Sequence, residues 1–338
     1  MRPFFEVYLM NDSKKRTKRK SVAKKTVTVN KVDLYQQITN RIIIALENGV
    51  APWKKPWRRA DGSYIAGLPL NASTGRQYSG INVLLLWMSA AEQGFRSSQW
   101  LTYRQAQEIG GQVRKGEKAT LGVVYKDWRK QAEDSNGNRQ YNADGEPVME
   151  TVPMIKALQL FNVEQCDGLP VHLTEEPPQS EPDICPVIAK RINAMLHSTG
   201  VKYQSLPQNR AFYQFSVDKI VTPMAEQFVT EADYWSTLLH ELVHSTGHAK
   251  RLNREGITSS TRKFGDPVYA FEELIAEMGS AFLCAQLGID GDVQHDSYVG
   301  SWLSILKSDK KALFRACRHA RQASEYLLEH MQSEGLAA

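Results

Sequence analysis

Apolar residues recur at helical spacing through VDLYQQITNRIIIALENG, residues 32–49, and the run closes on Gly49, which predicts a first helix with a glycine stop. SGINVLLLWMSAAEQG, 79–94, is apolar almost all round, so it predicts a buried helix with Trp87 in the core. TYRQAQEIGG, 102–111, predicts a short helix capped by Thr102 and ended by Gly-Gly. ATLGVVYKDW, 119–128, and PMIKALQLFNVEQ, 153–165, predict strands. The polar stretch between them, 130–150, is expected to be a mobile excursion. TEEPPQSEPDICP, 174–186, is acidic and proline-rich, buries little, and is placed as a linker.

Beyond it, ICPVIAKRINAMLHSTG predicts a helix, and short strands are expected near VKYQ, AFYQFS and KIVTP. Helices then follow over roughly 231–248, 267–288, 294–307 and 309–330. The fold class is therefore α+β in two domains, 32–173 and 187–335. They are preceded by a basic arm over 1–31, read as disordered because eight Lys/Arg fall within residues 14–25 and repel one another.

Composition narrows the class. Hydrophobic residues make up 42% of the 338, enough for packed cores. The best apolar run, INVLLLWMSAA, is about half a membrane span, so no membrane partner is expected. MRPFFEVYLM is interrupted by Glu6 and is not read as a secretory signal. The cysteines, Cys166, Cys185, Cys284 and Cys317, stand singly, as reduced thiols do, and a cytoplasmic location is expected. The net charge of +5 conceals an asymmetry: residues 1–130 hold 24 Lys/Arg against 9 Asp/Glu, the remainder 18 against 28. A basic half implies a polyanionic partner.

HELVHSTGH, 240–248, carries the sharpest chemistry. His240 and His244 lie one helical turn apart and project from one face, the arrangement two ligands of one zinc ion need. Glu241 stands beside the first, placed to take a proton from a water that the ion acidifies. A catalytic ion needs a third protein ligand. Position 250 is Lys250, which closes the metzincin route, and His248 one turn on is left as a possible lining residue or ligand. AFEELIAEMGSAFL places Glu272, Glu273 and Glu277 among apolar residues, where a carboxylate is costly unless paired or bound to metal. Glu-x-x-Ala-Glu here resembles the Glu-x-x-Ala-Asp of gluzincin-type peptidases. That resemblance implies Glu273 as the ligand and Glu277 as the group bracing a ligand histidine, with Glu277 as ligand the alternative. Zinc is the expected ion; manganese would suit the same donors. Tyr269 and His248 are candidates for stabilising an oxyanion, and 212–223 for pairing with substrate backbone as an edge strand.

The basic half interleaves aromatics with cations, the composition that stacks unpaired bases while neutralising phosphates. PWKKPWRR offers Trp53, Lys54, Lys55, Trp57 and Arg58; TGRQYSG offers Arg76 and Tyr78; VRKGEK offers Arg114, Lys115 and Lys118. QWLTYRQ and VVYKDW repeat the pattern. PWKKPW, LPLNASTGRQYSGINVLLLW, WLTYRQAQEIGGQVRKGEKAT and FNVEQCDGL together resemble the N-terminal single-stranded-DNA-binding domain of the ArdC antirestriction family, shared with TraC primases of conjugative plasmids. HELVHSTGHAKRLNR followed by EELIAEMGSAFLCAQLGI resembles that family's SprT-like metallopeptidase domain. The resemblance covers about residues 32–330. It implies a protein of mobile elements that coats incoming single-stranded DNA and protects it from restriction. Its peptidase would act on a DNA-associated protein. A metal domain that is structural or regulatory instead is the alternative.

Overall fold

The computed structural model describes residues 33–53, 67–174, 186–258, 266–291 and 298–335. The basic arm, Lys54, Lys55, Trp57, Arg58, Cys185 and nearly all of the expected linker lie outside these residues.

Helix α1, Leu34–Glu47, begins where the Asp33 carboxylate accepts from the Gln36 amide, and Gly49 at φ 77° ends it. Strand β1 is Leu70–Asn71, α2 Ile81–Gln93, β2 Gln99–Leu101 and α3 Tyr103–Glu108. Thr102 caps α3 as expected, and with Gln105 it forms a reciprocal capping box. After β3, Gln112–Val113, the strands β4, Thr120–Gln131, and β5, Met149–Asn162, make a long antiparallel hairpin. The sheet order is β1-β2-β5-β4.

The 130–150 stretch is not a loose excursion. The ladder runs out to Gln131 opposite Met149, and bridges join Glu133 to Arg139 and Tyr141 to Pro147. Asp134 and Asn142 side chains each accept two backbone amides within their own turns, with Gly137 and Gly145 at positive φ. Polar composition reads as loop by periodicity alone; here Asx turns order it.

The chain continues through β6, Cys166–Asp167, the short α4, Val171–Thr174, and α5, Pro186–Thr199. Strands β7 (Lys202–Leu206), β8 (Phe212–Gln214) and β9 (Lys219–Pro223) form a sheet of order β7-β9-β8, with β8 at an edge. Helices α6 (Glu231–Thr246), α7 (Glu255–Thr258), α8 (Pro267–Leu287), α9 (Val299–Ser308) and α10 (Ala312–Gly335) follow. The α+β expectation holds.

Asp33–Ala338 is one compact unit, and one hydrophobic core runs through it. Ile38, Ile42 and Leu46 of α1, with Leu84, Leu85 and Trp87 of α2, belong to the same cluster as Leu238, Leu242, Leu274 and Leu313. Trp53 is 2% exposed and packs edge to face on Trp302 of α9, ring centroids 5.5 Å apart. The expectation that Trp53 stacks on DNA is therefore corrected: its ring is consumed by the core. No described helix is long and apolar enough to cross a membrane, and Cys166, Cys284 and Cys317 are buried cysteines outside any disulfide.

Candidate metal centre

Helix α6 starts at Thr230, whose hydroxyl accepts from the Asp233 amide, and packs its length against α8. Gly279 of α8 permits that contact. A Cβ there would lie 2.9 Å from Val243 Cγ1, closer than packed carbons tolerate. Two buried helices at close range bring His240 and His244 of α6 opposite the carboxylates of α8.

The ligand geometry follows. His240 Nε2 lies 3.1 Å from His244 Nε2, and Glu273 presents one oxygen to each, at 3.5 Å and 3.4 Å. Donor atoms of these three residues all fall within 4.8 Å of one another, and all three side chains are buried. Two imidazole nitrogens and a carboxylate converging in a buried site call for a positive charge between them. The electrostatics agree. Burial alone would depress His244, but the Glu273 charge and hydrogen bonds to Glu272 and Glu273 push its pKa up to about 10. Burial opposes ionisation of Glu273, yet His244 and then His240 hold it well below the usual carboxylate range. The donor set fits a divalent ion with an open position.

Glu273, and not Glu277 or His248, completes this cluster among the described residues. Glu277 is buried on the same helix at 4% exposure. The His248 ring packs at 4.9 Å on Phe215, its Nδ1 accepts from the Lys250 amide, and burial pulls its pKa down. Glu241 is 5% exposed, and its charge bears on His244. Tyr269 is half-buried beside Glu273; burial first, then the Glu273 charge and hydrogen bond, raise its hydroxyl pKa.

A brace that sequence reading missed stands behind His244. Its Nδ1 faces Glu272 Oε1 at 3.4 Å, and Arg254 grips Glu272 at 2.5–3.2 Å. Arg254 also donates to Val243 O at 2.7 Å and Thr246 Oγ1 at 2.6 Å. Burial works against the Glu272 charge, but Arg254 holds its carboxyl below the usual range. Gly247 makes room for this: a Cβ there would meet Arg254 Nη2 at 3.1 Å and Ile257 at 2.5 Å. The signal was present in the paired acids Glu272 and Glu273, but one arginine after the helix did not identify itself.

In the basic half, Arg76, Lys115 and Lys118 are exposed. Arg114 is exposed yet engaged by Glu117 at 3.0 Å and Asp167 at 3.5 Å. Tyr78 is half-buried, its hydroxyl accepting from Asn71.

Both halves of the chain are similar to known proteins. Residues 190–319 match the model of a zincin-like metallopeptidase, so the C-terminal half has that fold. Residues 32–161 match the model described as the N-terminal domain of anti-restriction factor ArdC. A metal-free crystal structure of the antirestriction protein ArdC from plasmid R388 aligns with a TM-score of 0.71 at 39% identity, over 89% of this chain and 99% of that one. Its Mn(II)-bound structure aligns at 0.68 and 38%, over 89% and 98%. Protein y4eC of Sinorhizobium fredii is 32% identical over 298 residues, 87% of this chain and 91% of its own length. The chain belongs to the ArdC antirestriction family. DNA primase TraC of Escherichia coli is 37% identical over 310 residues, 90% of this chain. The chain spans only 20% and 28% of the lengths of the two TraC primases it matches.

Proposed function

We propose that this chain binds single-stranded DNA through its basic half and carries a divalent-metal peptidase acting on protein associated with that DNA, protecting incoming DNA of a mobile element from restriction in the recipient cytoplasm. The observation that carries the peptidase is the convergence of His240, His244 and Glu273 on the helix pair that also bears Glu241. When bound, zinc or manganese supplies Lewis acidity at the scissile carbonyl and acidifies a water. His240, His244 and Glu273 hold the ion, and Glu272, fixed by Arg254, keeps His244 in the tautomer whose Nε2 faces the cluster. Glu241 takes the water proton and returns it to the leaving amine. Among the described strands β8 pairs only with β9, which leaves its other edge to pair with substrate backbone. Arg76, Lys115 and Lys118 contact phosphates.

Of the alternative, a metal domain that is structural or regulatory, the structural form is disfavoured by the R388 relative, whose structure exists metal-free. Glu241→Gln tests the reading, since it retains the ligands and removes the base. Peptidase assays with a denatured protein and oligo(dT) should show metal-dependent cleavage that this variant lacks, with DNA binding intact. Full protection from restriction by Glu241→Gln in cells would make proteolysis dispensable there.

A further inference from the structure

Among the six described tryptophans, five are 7% exposed or less, whereas Trp128 is 54% exposed. It lies on the β4–β5 hairpin, at the end of the VVYKDW stretch. Beyond Phe161, where β2 ends its pairing, β5 is bonded only to β4 among the described strands. The hairpin is thus a two-stranded ribbon. Register fixes its faces, because directly opposed residues of an antiparallel pair point the same way. One face carries Val124 opposite Lys156, Lys126 opposite Met154, Trp128 opposite Val152, and Lys130 opposite Glu150. The other carries Tyr125 opposite Ile155, and Ile155 packs on the main core.

The Trp128 face therefore presents one aromatic ring bracketed by lysines two residues away along its strand. Lys130 is paired with Glu150 at 2.9 Å, but Lys126 and Lys156 are exposed and carry no ion pair among the described residues. Half-buried Met154 and Val152 floor the face beside the indole. An exposed indole costs hydrophobic hydration unless something covers it. The occupant that suits a flat ring with two unpaired ammonium groups, Lys126 and Lys156, to one side of it along the ribbon is an unpaired base whose neighbouring phosphates meet those lysines. Backbone phosphates would be held by charge alone, and no side chain on this face offers a bidentate base readout.

We propose that this ribbon face is a single-stranded nucleic-acid contact surface, with Trp128 as the stacking platform and Lys126 and Lys156 as phosphate contacts. It rests on the single-strand reading above and moves its centre from the loop at Trp53 to the hairpin. Because the face reads no base edge, binding there is tolerant of sequence and selects against duplex, whose bases are already stacked.

The experiment is fluorescence anisotropy of labelled oligo(dT), oligo(dA) and a duplex with the full chain. Trp128→Ala should bind both single strands about five- to a hundredfold more weakly, and Trp128→Phe should retain most of the affinity. Lys126→Ala and Lys156→Ala should each reduce the salt slope by about 0.7. Unchanged affinity in Trp128→Ala, or a loss that Trp128→Phe shares in full, overturns the assignment. Failure of the unaltered chain to bind oligo(dT) at all overturns the single-strand reading itself, so the two failures separate. If Trp128→Ala instead abolishes self-association and leaves DNA affinity alone, the face is a protein contact and the proposal is wrong.

Discussion

Arg254 holds Glu272 through Nε and Nη2 at 2.5–3.2 Å, with both side chains 4% exposed or less, directly behind the ring of His244. Removing the guanidinium leaves a carboxylate buried without its counter-charge. Arg254→Met should cost about 3–5 kcal/mol of stability, measured by urea denaturation. Glu272→Gln keeps the shape and weakens the hold on His244, so metal affinity should fall about 10–100-fold in a competition titration.

This cluster, together with the separate Arg251–Asp218 ion pair, sets a pH dependence of the metal-free protein with opposite signs at its two ends. Glu272 and Asp218 are held below their ordinary values, by Arg254 and Arg251 respectively, against the cost of burial. Their contribution is present above the unfolded carboxylate range and is lost as pH falls through the folded values. His244 is raised to about 10. Its contribution is complete below the unfolded histidine value of about 6.5 and disappears as pH climbs toward the folded one. Denaturation midpoints of metal-free protein should therefore fall on both sides of neutrality. Metal must displace the His244 proton, so apparent affinity should weaken as pH is lowered.

Gly279 of α8 faces Val243 of α6 at close range. Gly279→Ala places a methyl 2.9 Å from Val243 Cγ1 and pushes the helix bearing the histidines away from Glu273. A loss of about 1–3 kcal/mol is expected, together with weakened metal binding, because both follow from helix separation. Stability lost with metal affinity retained would mean the helices part elsewhere.

Trp53 supplies the contrast between a core aromatic and a binding one. Trp53→Ala should lower stability by about 3–5 kcal/mol, read in the same denaturation experiment, while leaving oligonucleotide affinity of the folded fraction unchanged.

Trp53 and Trp128 also mark where legibility stopped. Helices α1, α2, α6 and α8 announced themselves, because period 3.6 and glycine stops are local properties of the chain. His240 and His244 were legible for the same reason: both ligands sit on one helix. Glu273 needed a family resemblance, since which acid of a buried helix faces a neighbour depends on how α8 packs against α6. Arg254 was invisible, its role created by a turn folding back through the space left by Gly247. The aromatic–cation pattern flagged both tryptophans alike, and only tertiary packing buries one against Trp302 and leaves the other on a ribbon. Cysteines alone carried no such ambiguity, because isolated thiols tend to be buried wherever they fall.

The central claim is that one divalent ion is held by His240, His244 and Glu273. Isothermal titration of metal-stripped protein with Zn(II) and Mn(II), comparing Glu273→Gln with Glu277→Gln, tests it most directly. The account predicts one ion per chain for the unaltered protein, a loss of at least about tenfold in affinity for Glu273→Gln, and a smaller change for Glu277→Gln. Retained stoichiometric binding by Glu273→Gln, or collapse of binding only in Glu277→Gln, would contradict it.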